Sequence, residues 1–183
     1  PVVLVVLAEI LEKLHGLETE GIFRLPGHTA QVERLRDELS SSQDVRGTQK
    51  LVVGSWIKDP HVCASVFKLW LRELADPIIP DDMYEQSVSN CADAKKCVDL
   101  AKTLPDDNRI ILNFVIHFLS RLCADEVTKK TKMNLENLAV FAPNILRNRS
   151  TDPMAIMRNS NSEKQFVKTL VQANLEAATR GEI

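Results

Sequence analysis

The chain has 183 residues, the length of a single domain of ordinary size. Hydrophobic residues make up 44% and charged residues 26%, enough to bury a full core, whereas glycine, at 6 residues, is too scarce for the turns of a hairpin-rich sandwich or barrel. The net charge of −2 supplies no global field for nucleic acid or an anionic membrane, so any cationic site must be local.

The first apolar run, Pro1 to Ala8, ends at Glu9. It falls far short of the ~20 residues of a spanning helix, and no basic segment precedes it as in a signal peptide. The start at Pro1, without methionine, suggests an excised piece of a longer chain. Cys63, Cys91, Cys97 and Cys123 form no C-x-x-C pair and no metal-like spacing with histidine, so they read as thiols in a reducing compartment. The expectation is a cytoplasmic, all-α single domain over residues 1–183, without membrane insertion and monomeric in isolation.

Residues 2–15 read as a helix stopped by Gly16. Gly21, Pro26 and Gly27 break residues 17–28 into a loop that still holds Ile22, Phe23 and Leu25. Val32, Leu35 and Leu39 predict a helix over 29–39, and the polar stretch 40–58, with Gly47 and Gly54, reads as loop. Asp59-Pro60 starts a helix to about Leu74, with Asp as cap and Pro in the first turn. Asp76-Pro77-Ile-Ile-Pro80 interrupts it, and about two turns follow through Val88. Residues 92–103 form an amphipathic helix ended by Leu104-Pro105, and 106–123 form one so apolar that it belongs in the middle of a bundle. A loop leads to Asn134, a helix runs from 135 to 141 and ends at Pro143, 147–161 is polar and exposed, and 162–178 is the last helix.

Familiar catalytic equipment is missing from the sequence. Gly16-x-x-x-x-Gly21 has the glycine spacing of a phosphate loop, but Ile22 and Phe23 stand where Lys and Ser/Thr are needed. G-x-G-x-x-G, H-E-x-x-H and G-x-S-x-G do not occur, and His15, His28, His61 and His117 are scattered. His117 reads as a packed or partly exposed histidine on the central helix.

Three weaker signals remain. At about 100° per residue, His61, Ser65, Lys68 and Arg72 form one narrow polar stripe opposite a broad apolar side. Two cations one turn apart, with no acid between them, are either a solvated face or a face for an anionic partner. Glu73 falls among the apolar residues and needs a donor or an escape at the helix end. Arg24 sits between Phe23 and Leu25 on a loop hinged by Gly21 and Gly27, as an ion-pair donor or as a charge offered to a partner. Asn134 reads as an N-cap, and the amide of Asn137, inside the first turn, can serve the chain or a partner.

Taken in order, these segments resemble the GTPase-activating domain for Rho-type small GTPases, the RhoGAP family. The matching residues are Thr19-Glu-Gly-Ile-Phe-Arg24-Leu-Pro-Gly27, then Phe67-Lys68-Leu-Trp-Leu-Arg72-Glu-Leu with Asp76-Pro77-Ile-Ile-Pro80, then Lys132-Met133-x-x-x-Asn137-Leu-Ala-Val-x-Ala-Pro143-Asn144-Ile-Leu146. The likeness covers residues 1 to about 175. Asp-Pro-His-Val and Phe-Lys-Leu-Trp are similar to the subgroup in which the domain follows a MyTH4 module.

The resemblance implies an all-helical bundle that is an activator rather than a self-contained enzyme. Arg24 would be the arginine finger donated in trans to a GTP-bound Rho-family GTPase, steadying charge on the transferring phosphoryl group. Lys68 and Arg72 would line the docking face, Asn137 would hydrogen-bond beside the finger, and Pro143 and Asn144 would shape the rim. The domain would need no cofactor of its own, since the partner holds Mg²⁺ and GTP. A silent module that binds GTPases or scaffolds a larger signalling protein is the alternative, although Arg24 favours activity. Pro26, Ala75, Asp76, Thr131 and Ala142 depart from common family choices, Thr131 standing where asparagine is usual.

Overall fold

In the computed structural model, residues 2–41 and 56–181 are described. Most of the segment expected to be loop at 40–58, with Gly47 and Gly54, lies outside them. The described residues contain helices and turns and no strand. No described helix is long and apolar enough to cross a membrane. The chain divides into two compact units.

The first unit comprises residues 1–70 and 125–133. α1 (Val2–Lys13) buries Leu4, Leu7 and Leu11. The left-handed residue after it is His15 (φ 56°), just before the expected stop at Gly16. Gly16 is needed for space, because a Cβ there would meet the Leu11 carbonyl oxygen at 2.9 Å. A single 3₁₀ turn, Gly16–Glu18, leads into the 19–28 loop, and α2 (Thr29–Ser41) buries Leu35 and Leu39. α3 (Pro60–Arg72) begins as the Asp-Pro pair predicts, the Asp59 carboxylate accepting from the His61 amide at 2.8 Å. Ahead of it, the Arg34 guanidinium lies 4.1 Å over the Trp56 ring. Val62, Cys63, Val66, Phe67 and Leu71 are buried as the helical wheel predicts, and Ser65 and Lys68 are half-buried. Leu69, Trp70 and Leu74, expected on the buried side, are half-buried too, and Ala64, expected at the margin, is fully buried.

The remainder of this unit corrects an expectation. Residues 125–131, taken as loop, form α4 (Asp125–Thr131). Asp125 and Glu126 open it and Lys129 and Lys130 close it, the charge order that complements the helix dipole. In the described structure α4 meets the 3₁₀ turn, where Lys130 pairs with Glu18 at 3.2 Å.

The second unit comprises residues 71–124 and 134–183. A 3₁₀ turn (Asp81–Met83) runs into α5 (Tyr84–Ser89), followed by α6 (Ala94–Thr103), α7 (Asp106–Leu122), α8 (Leu135–Leu138), a 3₁₀ turn (Ala139–Phe141), α9 (Ala142–Ile145) and α10 (Pro153–Thr179). α6 is capped by Asp93, which accepts from the Lys96 amide at 3.1 Å. α7 is not covered all round. Ile110, Asn113, His117 and Arg121 form an exposed stripe, Ile110 being 56% exposed. Leu112, Val115, Phe118, Leu119 and Leu122 are buried, and α10 packs against this helix.

Two boundaries differ from expectation. The helix expected over 135–141 is one short α-turn and a 3₁₀ turn, and a second α-turn follows. Pro143, expected to end the helix, sits in the first turn of that α9, where a missing N–H costs nothing. The last helix begins nine residues early, at Pro153, with the Asp152 carboxylate accepting from the Met154 and Ala155 amides at 3.0 and 3.2 Å. Its first turns leave Met154, Ile156 and Met157 exposed, so no burial pattern announces them.

Candidate functional site

In the first unit the site is the loop from Gly21 to Gly27, held by its backbone at three points. Gly21 (φ +70°) donates its N–H to the Thr131 carbonyl at 2.7 Å. The Phe23 carbonyl accepts from Lys68 Nζ on α3. Gly27 donates its N–H to Ser65 Oγ at 3.0 Å, also on α3. At that last point the two backbones touch: a Cβ on Gly27 would lie 2.5 Å from Val62 Cα and 2.6 Å from its nitrogen, so only glycine fits.

Between these points Phe23 takes a left-handed backbone (φ 66°) that costs about 1–2 kcal/mol for a residue with a Cβ. Its ring is fully buried and packs edge-to-face on Phe67, with centroids 5.8 Å apart and planes at 77°. Burying an aromatic ring outweighs that strain. Ile22 is also fully buried, whereas Arg24 is exposed and, among the described residues, forms no ion pair. Leu25, expected to help anchor the loop, is 46% exposed instead. An exposed guanidinium thus sits on a backbone that has little freedom to move.

Lys68 is half-buried and its ammonium acts on the loop itself, a charged donor to a carbonyl that is worth about 1.5–3 kcal/mol. On the same helix, burial pushes the Cys63 thiol up to about 12, with the Asp59 charge adding to the shift. The Glu18 carboxyl lies below its ordinary value because Lys130 hydrogen-bonds to it.

In the second unit, Arg72 lies exposed in the last turn of α3, where its charge complements the helix end. Glu73 follows it and is also exposed. The Arg147 guanidinium caps that end, donating to the carbonyls of Arg72 (3.2 Å), Leu74 (2.8 Å) and Ala75 (3.3 Å). Asn134 caps α8 as predicted, accepting from the Asn137 amide at 3.0 Å, and Asn137 is half-buried. Pro143 is exposed. Asn144 is only 9% exposed, and its side-chain amide donates to the Val140 and Phe141 carbonyls at 3.3 and 3.4 Å.

Sequence reasoning overlooked Thr131 and Arg147 as partners and the closeness of Gly27 to α3. Ser65 was legible on the cationic stripe, and Gly27 only as a hinge. Within the second unit, an open groove of about 710 Å³, floored by Leu112, Ile116, Leu170 and Ala173, carries no serine, cysteine or histidine and none of these site residues. Among the described residues no group of three or more His, Cys, Asp and Glu is placed to hold a metal ion.

The family model described as the RhoGAP domain matches residues 1–150. GTPase activating protein homolog 4 of Dictyostelium discoideum is 36% identical over 96% of this chain and 19% of its own length. Rho GTPase-activating protein 22 of Mus musculus is 36% identical over 90% of this chain and 24% of its own. The chain therefore spans a quarter or less of these curated relatives. The crystal structure of human Rho GTPase activating protein 15 superposes with a TM-score of 0.78 at 25% identity, covering 94% of this chain and 81% of that one. The BH domain of GRAF, at 20% identity and a TM-score of 0.71, covers 97% and 91% and shares the fold. With the motif-bearing loop, α3 and the 134–147 segment all inside the matched region, the chain belongs to the RhoGAP family.

Proposed function

We propose that this domain accelerates GTP hydrolysis by a Rho-type small GTPase in its GTP-bound state, with Arg24 as a finger supplied in trans. The observation that carries the reading is an exposed guanidinium, without an ion-pair partner among the described residues, on a loop pinned at Gly21, Phe23 and Gly27. A forked, permanently charged donor carried on a pinned backbone suits a transition state whose charge is spread over phosphoryl oxygens. The partner supplies Mg²⁺, GTP and the attacking water, so this chain acts as an activator without a self-contained active site. Arg72 contacts the partner. Lys68 holds the finger loop, and Asn137, Pro143 and Asn144 of the second unit contribute to binding of the partner. The domain works as one cytoplasmic, monomeric module over residues 1–183.

Single-turnover hydrolysis by a panel of Rho-type GTPases tests the reading. Arg24→Ala lowers the stimulated rate by roughly 10³–10⁵, the worth of such a finger, while binding of the GTP-bound partner survives. Equal stimulation by wild type and Arg24→Ala sinks the finger assignment. Binding without stimulation by the wild type leaves a silent GTPase-binding module in its place.

A further inference from the structure

We infer that Thr131 is a positioning residue for the finger loop, acting through its own carbonyl, an inference that rests on the proposed role of Arg24. Although Thr131 lies 110 positions after Gly21, residues 125–133 belong to the same compact unit as the loop. They supply the acceptor for the Gly21 N–H, at 2.7 Å. That contact works only if the Thr131 carbonyl points at Gly21, and the Thr131 hydroxyl governs its direction.

Thr131 is fully buried. Its Oγ1 donates to the Val127 carbonyl one turn back, at 2.9 Å, and accepts from the Met133 N–H, at 3.2 Å. The second bond spans the peptide between Thr131 and Lys132, a local side-chain turn that fixes how that peptide is rotated. Lys132 is left-handed (φ 58°), and its N–H closes α4 on the Thr128 carbonyl at 2.9 Å. The hydroxyl therefore ties the end of the helix to the reversal after it and holds the intervening carbonyl toward the loop. Gly21 lies three residues before Arg24 and receives the Arg24 and Leu25 amides on its own carbonyl, both at 2.9 Å. Freedom at Gly21 is transmitted to the finger, and small misplacements of a catalytic group carry large rate penalties.

Thr131→Val keeps the shape and removes both hydroxyl bonds, whereas Thr131→Ser keeps them. Two readouts on the intact 183-residue chain separate this inference from the proposed function. In hydrogen exchange, the Gly21 amide exchanges roughly tenfold or more faster in Thr131→Val, with Thr131→Ser close to wild type, as loss of a local bond without global unfolding requires. An unchanged Gly21 amide in Thr131→Val overturns the inference whatever the hydrolysis assay gives. In single-turnover hydrolysis, the saturating rate falls about 10- to 100-fold in Thr131→Val with half-saturation unchanged, and Thr131→Ser restores it. If Arg24→Ala is impaired and Thr131→Val is not, the positioning role fails and the finger stands. If wild type does not stimulate at all, the proposed function falls, and with it the catalytic half of this inference. A matching thermal transition for Thr131→Val and wild type separates a displaced loop from an unfolded domain.

Discussion

The 21–27 loop of the first unit and the 134–147 segment of the second are both short, turn-rich stretches marked by motif residues, yet they use their polar groups in opposite ways. Along 21–27 three backbone groups are satisfied from other elements, by Thr131, Lys68 and Ser65, and the one charged side chain is exposed. Along 134–147 the side chains satisfy backbone: Asn134 caps α8, Asn144 serves Val140 and Phe141, and Arg147 caps the end of α3. A pinned backbone with a released tip suits delivery to a partner. Side chains already engaged at home suit architecture. Motif membership alone does not distinguish the two.

Breaking the loop's seat tests this contrast most severely. Gly27→Val drives a side chain into the Val62 backbone, 2.5 Å from the position of its Cβ. It lifts the loop, lowers stimulated hydrolysis by about 100-fold and destabilises by about 1–3 kcal/mol, read by single-turnover kinetics and urea unfolding. Lys68→Met comes next. Losing the charged donor to the Phe23 carbonyl costs about 1.5–3 kcal/mol and lowers the saturating rate. Arg72→Met instead weakens association, most clearly at low salt. A Lys68→Met variant altered only in association would return Lys68 to the partner.

On the architectural side, Arg147→Met removes three hydrogen bonds from the end of α3 and lowers stability by about 1–2 kcal/mol in thermal unfolding, with hydrolysis per folded molecule unchanged. Lys132→Gly has a smaller effect of opposite sign. It relieves a left-handed backbone at φ 58° and raises stability by about 1 kcal/mol or less, read as a higher urea midpoint.

The smallest effects are chemical. Burial holds the Cys63 thiol near 12 in the first unit and the Cys97 thiol near 11 in the second, both above the ordinary 9.0. Since the folded values are raised, their contribution to stability is full below pH 9 and is lost as pH rises from 9 toward 11 and 12. At pH 8, iodoacetamide should spare both until each unit opens, so their separate labelling rates compare the two units directly.

Asp-Pro shows how much of the fold was legible. At 59–60 the pair sits before an obvious apolar stripe and marks α3; at 152–153 the same pair starts α10, but its first turns carry exposed Met154 and Met157 and look like loop. A cap without an apolar rhythm is easily overlooked, as with Asp125-Glu126 at α4. Arg24, Lys68 and Asn137 stood out by residue type and order. Thr131 showed only as a departure from a usual asparagine and Arg147 not at all, because both act through carbonyl contacts with segments distant in sequence.

Periodicity, caps and scarce glycine were enough to make the chain helical, and the order of three motifs was enough to place its family, because both are written in local spacing. Which charged groups face outward and which are engaged with backbone was decided only on folding. Hydrogen bonds such as Gly21 to Thr131 and Arg147 to Leu74 close between residues remote in sequence, and no local pattern encodes the direction of a carbonyl.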